Sequence, residues 1–420
     1  PTHAEAGTGA RAGGVSTAPH DHSPATRGAR AGMGARADDG GGPLVPSPSL
    51  ASVYAYGSLA ALDEAMESRE PYRRYGTESA QLLEDALADL ETPPRGEKPV
   101  ARLTASGQAA LLLALSVLAS PRRRRVVVVR PCYGGTDALI AGPLGNLGMQ
   151  LTTVDVTAPN VDHAAAVRDV VGDDVCAVVA EVITNPLMQV INVPQIIAVA
   201  HDAGVPCIVD STFTPPFLFQ PFAYGADVVF HSLTKHLSGH SDVLGGIVLI
   251  TRQHQGADWL DGFSRLLGAA LGPFDAWLCL RGLRTAALRI ERGSSIAASL
   301  ASWFAQDGRV RAVHYPGTHG DAEEACAREL LPHGRGPMLS IELNGGRQAV
   351  DAFTRRLQGV RLAPSLGDVA TTVSHPALTS HRSLSREQRQ LLGISDGIVR
   401  VSTGIEALED LQDEFDQALG

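Results

Sequence analysis

The hydrophobic pattern changes character twice along the chain. Up to residue 43 the sequence is dense in Ala, Gly, Arg, Thr and His and shows no apolar period. Such a segment buries too little apolar surface to offset its ordering entropy, which predicts a disordered tail over 1–43. Residues 44–75 are punctuated by Pro and Gly and carry Tyr54, Tyr56, Tyr72 and Tyr75, so they read as an irregular arm. From 77 to 91, Leu82, Leu83, Ala86, Leu87 and Leu90 fall at helical spacing. Short β-branched runs then recur at 100–104, 126–130, 151–155, 176–181, 206–210, 227–231 and 245–250, several of them separated by helical patterns such as 107–119 and 192–203. This alternation predicts an α/β fold with a mostly parallel seven-stranded sheet and helices on both faces.

Around residue 273 the pattern shifts again. Residues 275–307 read as one or two long helices, with Trp277, Leu280, Leu283, Leu288, Ile296, Leu300, Trp303 and Phe304 at helical intervals. Beyond 309, apolar runs at 338–343 and 398–402 alternate with helical patterns near 347–357 and 406–419, which predicts a smaller α+β domain. The expected organisation is therefore a tail (1–43), an arm (44–75), a large domain (76–272), connecting helices (273–308) and a C-terminal domain (309–420).

Composition narrows the function classes. The 420 residues are 44% hydrophobic, ample for more than one core. Lys and Arg number 35 against 45 Asp and Glu, a net charge of −10 that gives no reason to expect nucleic acid as a partner. The Arg122–Arg125 run joins an apolar helix to the Val126–Val129 strand and reads as a solvated connection. Five cysteines (Cys132, Cys176, Cys207, Cys279, Cys326) form no C-x-x-C pair, so neither a disulfide framework nor a metal site is expected, and a cytoplasmic location fits. His3, His20 and His22 lie in the tail and are not read as ligands. No apolar run approaches the roughly 20 residues of a membrane span, and no signal-peptide core is evident.

Four motifs carry possible chemistry. In Asp227-Val-Val-Phe-His-Ser-Leu-Thr-Lys235, a strand ends at His231 and delivers Ser232, Thr234 and Lys235 together to its C-terminal edge, where α/β sheets bind ligands. Burial beside another cation would lower the lysine pKa and free its amine for imine formation, and the two hydroxyls suit a phosphate. In Val205-Pro-Cys-Ile-Val-Asp210, an acid closes a buried apolar strand, which is costly without a partner such as a protonated ring nitrogen. Ser106-Gly-Gln108 caps an apolar helix and aims the amides of Gly107 and Gln108 at an anion. Tyr133 at a strand end could stack on a flat ring. Singly, each also has an ordinary explanation as a solvated loop, a helix cap or a rim tyrosine.

Taken in order, these motifs make the chain resemble the Cys/Met-metabolism pyridoxal-phosphate (PLP) family, which includes cystathionine γ-synthase, cystathionine γ-lyase and methionine γ-lyase. The resemblance covers about residues 44–420 and adds Tyr72-Arg-Arg74, Tyr133-Gly-Gly-Thr136, Glu181 with Asn185-Pro, Ser365-Leu-Gly367, His375-Pro-Ala377 and Arg400-Val-Ser-Thr-Gly-Ile-Glu406. It implies PLP fold type I and a PLP cofactor held by Lys235 as a Schiff base. It also implies Asp210 against the pyridine nitrogen, Tyr133 stacked on the ring and able to protonate a leaving group, and Asn185 at the phenolic oxygen. Gly107, Gln108, Ser232 and Thr234 would hold the phosphate, joined by Tyr72 and Arg74 of a neighbouring subunit. Arg400, assisted by Ser365, would grip an amino-acid carboxylate. A homodimer with shared sites, doubled to a tetramer, follows from the resemblance.

Several positions depart from that pattern: Thr77-Glu-Ser79, Gln108, Ser211 and Ala370. The last replaces a glutamate at the substrate mouth that can pair with a distal ammonium group, and no cysteine follows Tyr133 as it does in methionine γ-lyases. The expected activity is γ-elimination or γ-replacement on a γ-substituted amino acid other than cystathionine, in a specialised biosynthetic pathway. Cystathionine turnover itself, or β-lyase or aminotransferase activity on the same scaffold, are the alternatives.

Overall fold

A computed structural model describes residues 22–33, 44–68, 72–94, 96–156 and 161–420. All seven expected strands of the large domain form: β1 (Val100–Thr104), β2 (Arg125–Arg130), β3 (Gln150–Asp155), β4 (Val175–Glu181), β5 (Cys207–Asp210), β6 (Val228–Ser232) and β7 (Gly246–Ile250). They join in the order β1-β7-β6-β5-β4-β2-β3, parallel from β3 to β6, with β7 antiparallel to both β6 and β1.

The central strands β4, β5 and β6 are largely apolar because both faces are covered. Val126 and Val128 pack with Ala110, Leu111 and Leu115 of the helix Gly107–Leu118. Their neighbours Val127 and Val129 face the other way, with Ile196, Val199 and Ala200 of the helix Val193–Asp202. Alternation within one β-branched run thus feeds two separate cores. The parallel strands all end on one edge, so the residues at 130–133, 181–185, 210–212 and 232–235 converge there.

The helices Pro273–Leu283 and Ala286–Phe304 lead to a second, five-stranded sheet. It comprises β8 (Val310–His314), β9 (Met338–Leu343), β10 (Arg361–Leu362), β11 (Thr372–Ser374) and β12 (Ile398–Ser402), in the order β10-β11-β12-β9-β8. Its core is aromatic at the centre: the Phe415 ring lies 5.4 Å from Phe304 and 6.2 Å from Phe353, all three buried. β12 returns to the large domain edge and carries Arg400 there. No helix among the described residues is long and apolar enough to cross a membrane.

The expectation of a disordered tail over 1–43 does not hold for residues 22–33. Ser23 caps the helix Pro24–Ala29, with Pro24 at its first position, a start signal that the short apolar content obscures. The helix is held from outside: Arg27 Nη1 donates to the carbonyl of Asp89, and Gly28 lies so close to Phe217 that a Cβ would sit 3.0 Å from its ring. Tertiary contact, not local propensity, orders it. The rest of that segment lies outside the described residues.

Phe415→Ala should lower stability by about 3–5 kcal/mol through loss of a fully buried ring. Hydrogen exchange should then accelerate first in β9 and β12, with less effect on β4 and β5.

Candidate active site

The convergent strand ends enclose a cavity of about 380 Å³. Its lining includes Ser106, Gly107, Gln108, Tyr133, Glu181, Asn185, Asp210, Ser232, Thr234, Lys235 and Arg400. Every sequence-selected residue of the large domain therefore arrives at one place. Ser365 joins them through a hydrogen bond from Lys235 Nζ at 2.9 Å. Tyr72 and Arg74 do not: Arg74 Nη1 donates to the carbonyl of Arg265 at 2.7 Å, and its guanidinium lies over the Tyr72 and Tyr75 rings.

The floor is acidic. Asp210 closes β5 and pairs in register with Glu181 at the end of β4. Burial pushes the Asp210 carboxyl up, against a 3.0 Å hydrogen bond that its Oδ1 accepts from the Thr212 amide. Burial and then the Asp210 charge push Glu181 well above its ordinary range. Glu181 Oε1 accepts the Tyr133 amide at 2.7 Å, which fixes where the half-exposed tyrosine ring begins. Glu181 stands among the landmark residues but received no role, although it carries the same sequence signal as Asp210: an acid ending a wholly apolar strand.

Two cationic side chains, Lys235 and Arg400, line the same cavity. Burial, with the nearby Arg400 charge, lowers the Lys235 pKa to about 8, so its amine is half neutral near that pH. Arg400 is fully buried on β12, and burial lowers it to about 10. Its Nη1 donates to Asn185 Oδ1 at 3.0 Å and its Nη2 to the Ser365 carbonyl at 3.4 Å, while Nε has no hydrogen-bond partner among the described residues. His236, pushed down to about 3 by burial, stays neutral beside the lysine.

These residues fit pyridoxal phosphate. The helix Gly107–Leu118 points its N-terminus at the cavity, where Ser106 caps only the Ala109 amide, so the first amides are free to meet an anion. Gly107 keeps that cradle open, since a Cβ would stand 2.9 Å from the Ser232 side chain. Among the described residues no cationic side chain bonds Asp210, as a carboxylate suited to a protonated ring would require. Thr234 is more committed than expected: its hydroxyl bonds the Gly245 backbone, accepting from the amide at 3.1 Å.

Comparison with known proteins agrees with this geometry. The family model for the Cys/Met metabolism PLP-dependent enzyme matches residues 29–420. Cystathionine gamma-lyase of Bacillus subtilis (strain 168) is 36% identical over 348 residues, 83% of this chain and 88% of that one. The crystal structure of cystathionine gamma synthase from Xanthomonas oryzae pv. oryzae in complex with cystathionine superposes with a TM-score of 0.83 at 33% identity, covering 95% of this chain and 98% of that chain. An O-acetylhomoserine (thiol)-lyase structure from Campylobacter jejuni, which holds a pyridoxyl-lysine phosphate, has a TM-score of 0.85 at 26% identity, covering 95% and 100%.

Reaction of the apoprotein with pyridoxal phosphate should accelerate as pH rises through about 8, because only the neutral Lys235 amine is nucleophilic. Borohydride fixation followed by peptide mass mapping checks this. Arg400→Met should move the midpoint upward, since it removes a cation that opposes protonation of the lysine. With its catalytic-edge residues gathered in one cavity and its family matched over residues 29–420, the chain belongs to the Cys/Met-metabolism family of PLP-dependent enzymes.

Proposed function

We propose that the protein catalyses γ-elimination, or the closely related γ-replacement, on a γ-substituted L-amino acid. The observation that carries this reading is the hydrogen-bonded chain Lys235–Ser365–Arg400–Asn185, whose lysine, arginine and asparagine line the same cavity as Asp210 and Glu181. When bound, pyridoxal phosphate supplies an electron sink for charge developing at the substrate's carbon atoms.

The chain's own residues do the rest. Arg400, whose Nε is unpartnered, holds the substrate carboxylate as a fork, and the Ser365 loop closes beside it. Lys235 would hold the cofactor through its amine, and that same amine is placed to move protons at the substrate Cα and Cβ. A pKa near 8 suits a base that must both accept and return a proton. Asp210 would keep the ring nitrogen of a bound cofactor protonated, and Asn185 would meet its phenolic oxygen. The Tyr133 hydroxyl gives a proton to the departing γ-group. Ser232 and the amides of Gly107 and Gln108 would hold the phosphate, with Thr234 setting the loop that presents Lys235.

The substrate's far end is read at position 370. Ala370 is exposed, and its amide bonds Asp368 Oδ1 at 2.9 Å. A methyl group there offers nothing to a distal ammonium, which favours a substrate without one and argues against cystathionine. The cystathionine reading retains the support of relatives with that activity.

The working unit is a homo-oligomer with shared sites. Tyr72 and Arg74 lie outside the cavity, beside the helix Ala257–Leu267, whose Trp259, Phe263, Leu266 and Leu267 are exposed. That apolar face is suited to a second copy, which would receive the arm's arginine at its phosphate. The five free cysteines fit a cytoplasmic enzyme.

Neutral γ-substituted amino acids should release ammonia and a 2-oxo acid faster than cystathionine does, as followed by product mass. Efficient cystathionine cleavage would overturn the substrate reading. Ala370→Glu should raise cystathionine kcat/KM by at most about fivefold, since an exposed ion pair contributes no more than roughly 1 kcal/mol. Mixing inactive Arg74→Ala with inactive Lys235→Ala protein should restore activity, because one site of the mixed dimer is then intact. No recovery counts against shared sites.

A further inference from the structure

Behind the cavity floor lies a buried pair that the chemistry above does not use. His231 Nε2 is 2.7 Å from Glu91 Oε1, and both side chains are withdrawn from solvent, at 1% and 0% exposure. Glu91 ends the helix Glu78–Glu91, while His231 sits on β6, one residue before Ser232. His231 Nδ1 lies 3.1 Å from the Ser211 carbonyl. A carbonyl only accepts, so Nδ1 carries the hydrogen. The 2.7 Å contact on the other side then requires one proton between imidazole and carboxylate. The pair is thus either an imidazolium with a carboxylate or a neutral imidazole with a carboxylic acid. Glu91 Oε2 has no hydrogen-bond partner among the described residues.

What the pair holds is the turn that aims Asp210. Ser211 donates its amide to the Phe230 carbonyl at 3.1 Å and offers its own carbonyl to His231. Thr212 Oγ1 accepts the Ser232 amide at 3.0 Å, and the Thr212 amide donates to Asp210 Oδ1 at 3.0 Å. A continuous series therefore runs from Glu91 through His231 and the 211–212 turn to the Asp210 carboxylate, and across to the proposed phosphate residue Ser232. Packing alone does not demand an ionisable pair at zero exposure, because apolar residues of similar volume serve a core at least as well.

We infer that Glu91 and His231 are positioning residues for Asp210: the imidazolium form of the pair locks the Ser211–Thr212 turn and holds a positive charge behind the carboxylate, so that Asp210 stays ionised and leaves the proton on the cofactor's ring nitrogen. This rests on the proposed pairing of Asp210 with that nitrogen and extends it to two residues outside the cavity. The His231 charge acts in the stated direction, favouring the ionised form of Asp210 against its burial.

Glu91→Gln tests the charge while keeping a hydrogen bond to Nε2. With 15N-labelled pyridoxal phosphate, the ring-nitrogen resonance of the holoenzyme should move toward its unprotonated position in Glu91→Gln. Apoprotein affinity for the cofactor should fall about tenfold, the scale on which one nearby charge alters a carboxyl's proton affinity. The effect on turnover should fall on kcat, with KM little changed. Asp210→Asn is the reference. If Asp210→Asn shifts the resonance and a folded Glu91→Gln does not, the pair is a core contact and the inference is overturned. If neither shifts it, the assignment of Asp210 itself fails. Should Glu91→Gln not fold, wild-type enzyme labelled with 15N-histidine decides at pH 9, where exposed imidazoles are neutral. An imidazolium signal that changes when the cofactor is removed supports the inference, and its absence overturns it.

Discussion

The ε-amine of Lys235 and the guanidinium of Arg400 are held in one cleft with the carboxyl groups of Asp210 and Glu181. Four ionisable groups withdrawn from water cost free energy unless each finds compensation. The parallel sheet supplies it by ending four strands on one edge, which places the carboxylates side by side in register. The second domain supplies the remainder by returning β12 to that edge with Arg400. The two sheets are thus joined by an electrostatic requirement as well as by packing.

The lysine is held as tightly as its charge environment demands. Arg289 donates to the carbonyls of His236, Leu237 and Gly282, tying the loop after Lys235 to the connecting helices. Gly367, at φ +87°, brings the 365–371 loop so near that a Cβ would stand 2.5 Å from the His236 amide nitrogen. Close backbone contact and the arginine's hydrogen bonds thus fix the loop that carries Lys235. The lysine amine itself donates to Ser365 Oγ at 2.9 Å. Arg400 then reaches the Ser365 carbonyl and Asn185, so one substitution in this group disturbs several partners.

Beyond the cavity, the same edge organises longer-range features. Helix Glu78–Glu91 is amphipathic in the ordinary way, but its final residue is a buried acid that meets β6 behind Asp210. The arm from Tyr72 to Tyr75 runs to the helix Ala257–Leu267 instead of the chain's own cavity.

Much was legible in the order of residues alone. The β-branched runs specified the seven strands because a doubly covered parallel sheet tolerates little else, and Lys235, Asp210, Tyr133 and Gly107 stood out as polar or flexible positions at strand and helix ends. Resemblance over nearly the whole chain added Asn185, Ser365 and Arg400, whose local sequence is unremarkable. The docked helix Pro24–Ala29 was missed because its order comes from Arg27 and Gly28 meeting distant elements. The Glu91–His231 pair was equally hidden, since an acid and a base 140 residues apart share no local pattern. Sequence determined which elements form, because periodicity and propensity are local. Tertiary structure decided which charges face one another, because Coulomb and hydrogen-bond energies depend on distances that only the completed fold sets.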